Sequence, residues 1–297
     1  MRLENKKLVS TVALLIVALV WGTSYAIIKD TLEVVSPLTL MAIRYLGSAL
    51  ILSFLFINRL LKVDWQDMKH GAIIGVFMFG AFSTLAIGIQ YTTASKQSFI
   101  IGAYVLIVPF LSWLINKKLP DKYAIVGACL AVIGLGLLTL GGIDGLTIGD
   151  IIAFACSTCF AFHMVSIEKY CHKHDPILLT IIQFWVAALL LLIFALCFED
   201  FSLKVFYTST MEILYLIIAC TVFAFVVQNI AQRHISSTST ALILTLESAF
   251  GSIFAIMYLK EEMSSSMIIG CLIVLMGIIT QETKWKFLRG SEKKHNL

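Results

Sequence analysis

Apolar residues in this chain come in long unbroken runs, and charged residues fall almost entirely in the short gaps between them. Ten runs can be marked, at 8–28, 37–57, 70–90, 97–115, 121–140, 149–168, 177–198, 211–230, 238–259 and 265–281. Each is close to the ~20 residues a helix needs to cross a hydrocarbon layer ~30 Å thick. Lipid offers no partners to backbone N–H and C=O groups, so each run is predicted to satisfy them internally, as a helix. The gaps leave no room for a separate soluble domain. The run from Leu8 follows Lys6 and Lys7 as in a signal peptide, but it is too long, lacks a small-residue cleavage site and leads into further spans. It is read as the first helix. The expected architecture is an all-α polytopic membrane protein with ten transmembrane helices.

The order of the runs repeats. WGTSYAIIKD from Trp21 matches FAFHMVSIEK from Phe160 at an offset of 139, and the match continues through Ser36-Pro37 against Asp175-Pro176. RYLGSALIL from Arg44 then aligns with QFWVAALLL from Gln183. From the third span the offset is 144, and in the last span of each half it is 143, pairing Gly127 with Gly270 and Gly134 with Gly277. Each half holds five spans, an odd number, so the second is expected to run through the membrane upside down relative to the first. Two inverted five-helix repeats, residues 1–140 and 141–297, frame an alternating-access transporter with its site near midplane. One chain holds both halves, which makes a monomer the expected transport unit.

Charge orients the chain. Of 22 Lys and Arg, only Lys29, Lys96, Lys204 and Lys260 fall on one side, and Arg44 lies inside the second span. All the others fall on the opposite side, which the positive-inside rule makes cytoplasmic, together with both termini and the C-terminal tail of the second repeat. Composition agrees with a multi-pass protein of the cell membrane: 59% hydrophobic, 13% charged, mean hydropathy +0.94. A soluble domain is nearer a quarter charged. The net charge of +4 is spread over loops rather than gathered in a patch. The bilayer is therefore the expected macromolecular environment, and nucleic acid is not an expected partner.

These sequence features resemble the EamA-type transporters of the drug/metabolite transporter superfamily. The resemblance rests on the five-plus-five layout, WG-x-S-Y in the first span, Arg44 in the second and Leu246-Glu247-Ser248 in the ninth. It also rests on the short charged turns, NKKLPD from Asn116 and KEEMSS from Lys260, that lead into Gly-spaced last spans. Two features depart from the family pattern: the first turn lacks the usual acid, and Pro109 lies later than the common proline. The resemblance implies a ten-helix bundle around a central cavity. It further implies secondary transport, commonly export, of a small organic metabolite (an amino acid or related compound) or a drug across the cytoplasmic membrane.

Several residues carry candidate chemistry. Glu247 is the one carboxylate deep in a span, about 12 Å along the helix from Ser239. Burial favours its neutral form, which suits a proton-coupled step; intramembrane acids are functional by default. The other reading is a structural acid held by Ser248, Ser252 or Arg44. Its repeat counterpart is Ala103, so the architecture does not itself require an acid there. Arg44 lies about 10 Å past Pro37. It either snorkels to the outer surface or faces inward, pairing with Glu247 or a substrate carboxylate through its planar fork. His163 shares a face with Cys156, Cys159 and Phe160, as a lining residue or a satisfied structural histidine.

Trp21, Ser24 and Tyr25 share a face of the first span. Phe79, Ser83, Ala86 and Gln90 stripe the third, Gln97 and Tyr104 the fourth, and Thr221, Gln228 and Gln232 the eighth. Such mixtures suit a small amphipathic ligand, or serve as hydrogen bonding between helices. The expected substrate-binding set is Trp21, Ser24, Tyr25, Arg44, Phe79, Ser83, Tyr104, His163, Gln228 and Glu247, with Glu247 the proton-coupling candidate. Gly71 and Gly75 read as close helix packing.

No cofactor or metal is expected. Cys129, Cys156, Cys159, Cys197, Cys220 and Cys271 read as small apolar fillers within spans. Cys171, His172 and His174 are too sparse for a metal site and read as a solvated loop. No GxxxxGK[ST] loop is present for ATP hydrolysis. An intramembrane enzyme is the alternative class, opposed by the missing HExxH motif and the single deep carboxylate. A channel or non-transporting scaffold is a third class, opposed by the lack of a ring of like groups.

Overall fold

The computed structural model describes residues 3–117, 121–140, 146–200, 208–260 and 264–283. Lys118, Lys204 and the tail from Lys284, which the charge asymmetry uses, lie outside them. All regular structure among the described residues is helical. Eight spans are long and apolar enough to cross a membrane, and two shorter apolar stretches, Lys122–Gly134 and Ile268–Gly277, accompany them.

Helices of eight residues or more begin with α1 (Leu3–Thr31), α2 (Pro37–Leu55), α3 (Trp65–Gly88), α4 (Ala94–Ile101), α5 (Tyr104–Asn116), α6 (Lys122–Leu140), α7 (Ile148–Cys171) and α8 (Pro176–Phe198). The chain continues with α9 (Thr210–Ile217), a π-helical turn at Ile218–Phe223, α10 (Ala224–Ala231), α11 (Ser237–Leu244), α12 (Leu246–Leu259) and α13 (Ser265–Thr283). Local sequence sets most boundaries. Pro37 and Pro176 open α2 and α8 at the position where a missing N–H costs nothing. Capping boxes open α3 (Asp64 with Asp67) and α7 (Thr147 with Asp150). Lys117 and Lys260 end α5 and α12 in the left-handed region, at φ 55° and 56°. These two lysines are 143 residues apart, the offset of the last spans.

Packing joins the two halves of the sequence rather than separating them. α2 lies on α8 and α6 on α13, while α3 packs on α7 and α8. α4 and α5 pack on α7, just as α11 and α12 pack on α1. Where α6 crosses α13, a Cβ on Gly134 would stand 2.6 Å from the Gly270 carbonyl oxygen, and one on Gly277 would stand 2.7 Å from that of Gly127. Only glycine allows backbones this close. The contacts also show that α6 and α13 run antiparallel and exchange equivalent positions.

Polar ties join helices at both ends of the bundle. At one end, Arg59 Nη1 meets Asp175 Oδ2 at 2.5 Å. There, His174 bridges Asp67 Oδ1 (2.5 Å) and His70 Nδ1 (2.9 Å). The sequence reading of a solvated loop therefore changes for His174, and for Cys171, which is fully buried as the last residue of its helix. The short loop after α7 brings the His174 ring against the start of α3, where a carboxylate and a second imidazole hold it. At the opposite end, the buried pair Lys96 Nζ–Asp150 Oδ2 (2.7 Å) joins α4 to α7, and Thr92 Oγ1 donates to Asp150 Oδ1. Glu199, just past α8, accepts from the backbone N–H groups of Leu38 and Thr39, both at 2.9 Å. It thus caps α2 from the other half of the chain, where Ser36 makes no side-chain cap.

Candidate functional site

Two spans are broken near their centres, and the breaks touch. α4 stops at Ile101 and α5 begins at Tyr104; α11 stops at Leu244 and α12 begins at Leu246. Ser248 Oγ donates to the Ser98 carbonyl at 2.7 Å, and a Cβ on Gly102 would come within 2.7 Å of the same hydroxyl. The second break places Glu247 in the first turn of α12, the positive end of a helix dipole, which favours an acid.

Glu247 is 2% exposed. Tyr25 from α1 and Tyr104 from the start of α5 each donate their phenol to its Oε1 at 3.3 Å. The serines that sequence offered as partners turn elsewhere, Ser248 to Ser98 and Ser252 to the Ser248 carbonyl. Two long hydrogen bonds to a single oxygen satisfy this acid incompletely, since a carboxylate can accept about four.

Arg44 is 1% exposed, inside the bundle rather than at its surface. Its Nε donates to Thr221 Oγ1 at 2.6 Å and its Nη2 to the Cys220 carbonyl at 3.1 Å. Trp21 Nε1 also donates to that carbonyl, at 2.8 Å. The π-helical turn explains the convergence. Wider i→i+5 winding displaces carbonyls from the α-ladder and exposes them to side chains, a feature frequent at functional sites. Phe82 and Tyr45 hold the guanidinium at 5.3 and 5.6 Å from their ring centroids. Nη1 has no hydrogen-bond partner. No ion pair joins Arg44 to Glu247 among the described residues.

Arg44 and Glu247 instead line one cavity of about 20 Å³, with Trp21, Ser24, Tyr25, Phe82, Leu85, Ile101, Cys156 and Phe160. It has room for about one water molecule. A larger cavity of about 430 Å³ lies among Ile100, Ala103, Leu106, Val132, Gly136, Leu146, Ile151 and Phe154. Its one ionisable neighbour, Asp150, is already paired with Lys96, so volume favours this cavity and chemistry favours the small one.

A second polar cluster adjoins the small cavity through Phe160, on which His163 stacks at 5.4 Å. His163 Nε2 bonds Gln183 Oε1 (2.9 Å), Gln228 donates to Gln232 (3.2 Å), and Gln232 donates to the Met164 carbonyl (3.0 Å). His163 Nδ1, Gln183 Nε2 and Gln228 Oε1 are buried without partners. Three such orphans in one place are unusual for a settled core.

Of the residues expected from sequence, Trp21, Ser24, Tyr25, Arg44 and Glu247 meet at the small cavity, and Tyr104 joins through its bond to Glu247. His163 and Gln228 belong to the adjoining cluster. Phe79 rests on Phe194 (5.1 Å) and Ser83 bonds the Gly80 carbonyl, both away from the cavity. α3 contributes Phe82 and Leu85 instead, which sequence reasoning missed. The signal was present: Gly71 and Gly75 mark the packed face of α3, against Ile182 and Val186, and a 3.6-residue period carried onward reaches Met78, Phe82 and Leu85. Cys156 lines the cavity as a free thiol. No group of three or more His, Cys, Asp or Glu suited to a metal occurs among the described residues.

Fold and site together define a multi-pass helical membrane protein with a small internal cavity lined by one arginine and one acid. The chain belongs to the EamA-like transporter family, whose profile matches residues 9–140 and again 147–280. An uncharacterized transporter of Archaeoglobus fulgidus is 31% identical over 277 residues, covering 92% of this chain and 86% of that one. A Salmonella typhimurium protein named probable amino-acid metabolite efflux pump is 21% identical over 283 residues, covering 89% and 91%. A solved crystal structure shares the fold at TM-score 0.74 and 15% identity, over 94% of this chain and 98% of that one.

Proposed function

We propose that this protein is a secondary transporter that carries a small organic metabolite, an amino acid or related compound, or a drug across the cell membrane. Export is its physiological direction. The carrying observation is the water-sized cavity at the touching helix breaks, where Arg44 and Glu247 are buried between polar ties at the two ends of the bundle. Residues 1–140 and 141–297 act as inverted five-helix halves with both termini cytoplasmic. The antiparallel glycine crossing of α6 and α13 supports that reading, as do the matched breaks and the left-handed caps at Lys117 and Lys260. Alternating access loosens the Lys96–Asp150 and Glu199 ties on the outer side, or the Arg59–Asp175 and His174 ties on the inner side, but not both together. The names of the relatives support transport over an enzymatic role.

Glu247 is the proton-coupling group in this reading. Gln keeps its shape and mimics the protonated acid, so Glu247→Gln is expected to insert, purify and bind substrate within a few fold of wild type. It should exchange substrate across proteoliposomes yet fail in gradient-driven transport. Full gradient-driven transport by Glu247→Gln contradicts the coupling role.

A further inference from the structure

We infer that Arg44 forms an anion subsite, so that this transporter recognises its substrate by a carboxylate and, for a monoanion, moves one proton with it in the same direction, export then running down the substrate's own gradient. The inference rests on the transporter reading and adds the substrate's charge class. Arg44 is buried, two of its donors are held by neutral oxygens of the π-helical turn, and Nη1 has no partner in the cavity that Arg44 lines. A cationic ligand would add a second positive charge beside it. A ligand without an acceptor would leave Nη1 unsatisfied. A carboxylate completes the guanidinium's hydrogen bonds and neutralises its charge, the match that a planar fork favours.

Charge balance links the anion to Glu247. The groups facing Glu247 are Tyr25 of α1, Tyr104 of α5, Cys156 of α7 and, across the cavity, Arg44 of α2. Arg44 is the only one of them charged at neutral pH. With the cavity empty, Arg44 and an ionised Glu247 sum to zero. A bound carboxylate beside an ionised Glu247 leaves a net negative charge deep in the membrane, where charge is costly. Protonation of Glu247 restores neutrality. The two uncharged forms that can reorient therefore differ by one anion and one proton, and a zwitterion supplies the second positive charge through its own ammonium group.

The test uses purified full-length protein and four compounds on one carbon skeleton, chosen because Trp21, Phe82 and Phe160 line the cavity. They are 3-phenylpropionate (anion), L-phenylalanine (zwitterion), phenethylamine (cation) and 3-phenylpropanamide (neutral), and the readout is ligand-induced thermal stabilisation. The two carboxylates are expected to stabilise the protein and the other two are not. 3-Phenylpropionate should bind more tightly as pH falls from 8 to 6. Glu247→Gln should bind it with no pH dependence, and Arg44→Gln should bind it about thirtyfold more weakly or worse. If the Arg44 variant does not fold, the compound series on wild type and the pH series on Glu247→Gln still decide. Equal stabilisation by the amine or the amide overturns the inference. So does the absence of stabilisation by both carboxylates, or pH-dependent binding that persists in Glu247→Gln. Counterflow of any other solute would leave the transporter reading standing in each of those cases.

Discussion

Gly22 is where α1 lies closest to the helix that carries Glu247. A Cβ there would stand 2.6 Å from Phe250 Cβ, 2.9 Å from the Gly251 nitrogen and 3.0 Å from the Glu247 carbonyl oxygen. Carbon atoms prefer ~3.5–4.0 Å, so Gly22→Ala requires α12 to retreat by about 1 Å. The Tyr25–Glu247 bond is already 3.3 Å long, and that retreat breaks it. Overpacking costs ~1–3 kcal/mol and the lost hydrogen bond about 1 kcal/mol, against a helix-propensity gain of about 1 kcal/mol. The expected net loss is ~1–3 kcal/mol. Gly136 in α6 gives the opposite case, because nothing lies within 4 Å of its Cβ position. Gly136→Ala keeps only the propensity gain. At roughly 2–4 °C per kcal/mol, Tm should fall for Gly22→Ala by several degrees and hold or rise slightly for Gly136→Ala. A thiol-reactive dye can follow unfolding through the buried cysteines Cys156, Cys171 and Cys220. Equal Tm shifts for the two variants would refute the close α1–α12 contact.

Lys96→Met should cost ~3–5 kcal/mol by leaving Asp150 buried and uncompensated. Adding Asp150→Asn should recover part of that loss, and strictly additive losses in the double-mutant cycle would show that the two are not coupled. Glu199→Ala should destabilise by ~1–2 kcal/mol, as for a lost N-cap, since α2 has no side-chain cap of its own; unchanged thermal stability would remove that role. Asp67→Asn weakens both the capping box of α3 and the hold on His174, and limited proteolysis should find the loop after α7 more readily cut than in wild type.

Much of this arrangement is legible in the sequence, and what escapes it has identifiable causes. Hydrophobic run length locates the spans because lipid imposes it, and the depth of Glu247 and Arg44 follows from counting. The break at Gly102 has a local signal, a glycine, whereas its counterpart at Thr245 has none and depends on packing. The π-helical turn at Ile218–Phe223 is equally silent, yet it decides where Arg44 finds its acceptors. Glu199 capping α2 and His174 meeting Asp67 are contacts between distant parts of the chain, which no local pattern encodes. Polarity alone places Phe79 and Ser83 on the inward face of α3, whereas the glycines that set its packing point about a quarter of a turn away.

The central claim is that the cavity at Arg44 and Glu247 opens to one side at a time around a bound solute. Counterflow tests it most directly. Proteoliposomes are loaded with an unlabelled solute from a panel of amino acids and carboxylates, then diluted into trace labelled solute with no ion gradient imposed. The account predicts a transient overshoot of label inside the vesicles for at least one solute, because a carrier returns loaded from either face. Label entry that equilibrates without overshoot for every solute, or chemical conversion of the solute, would contradict it.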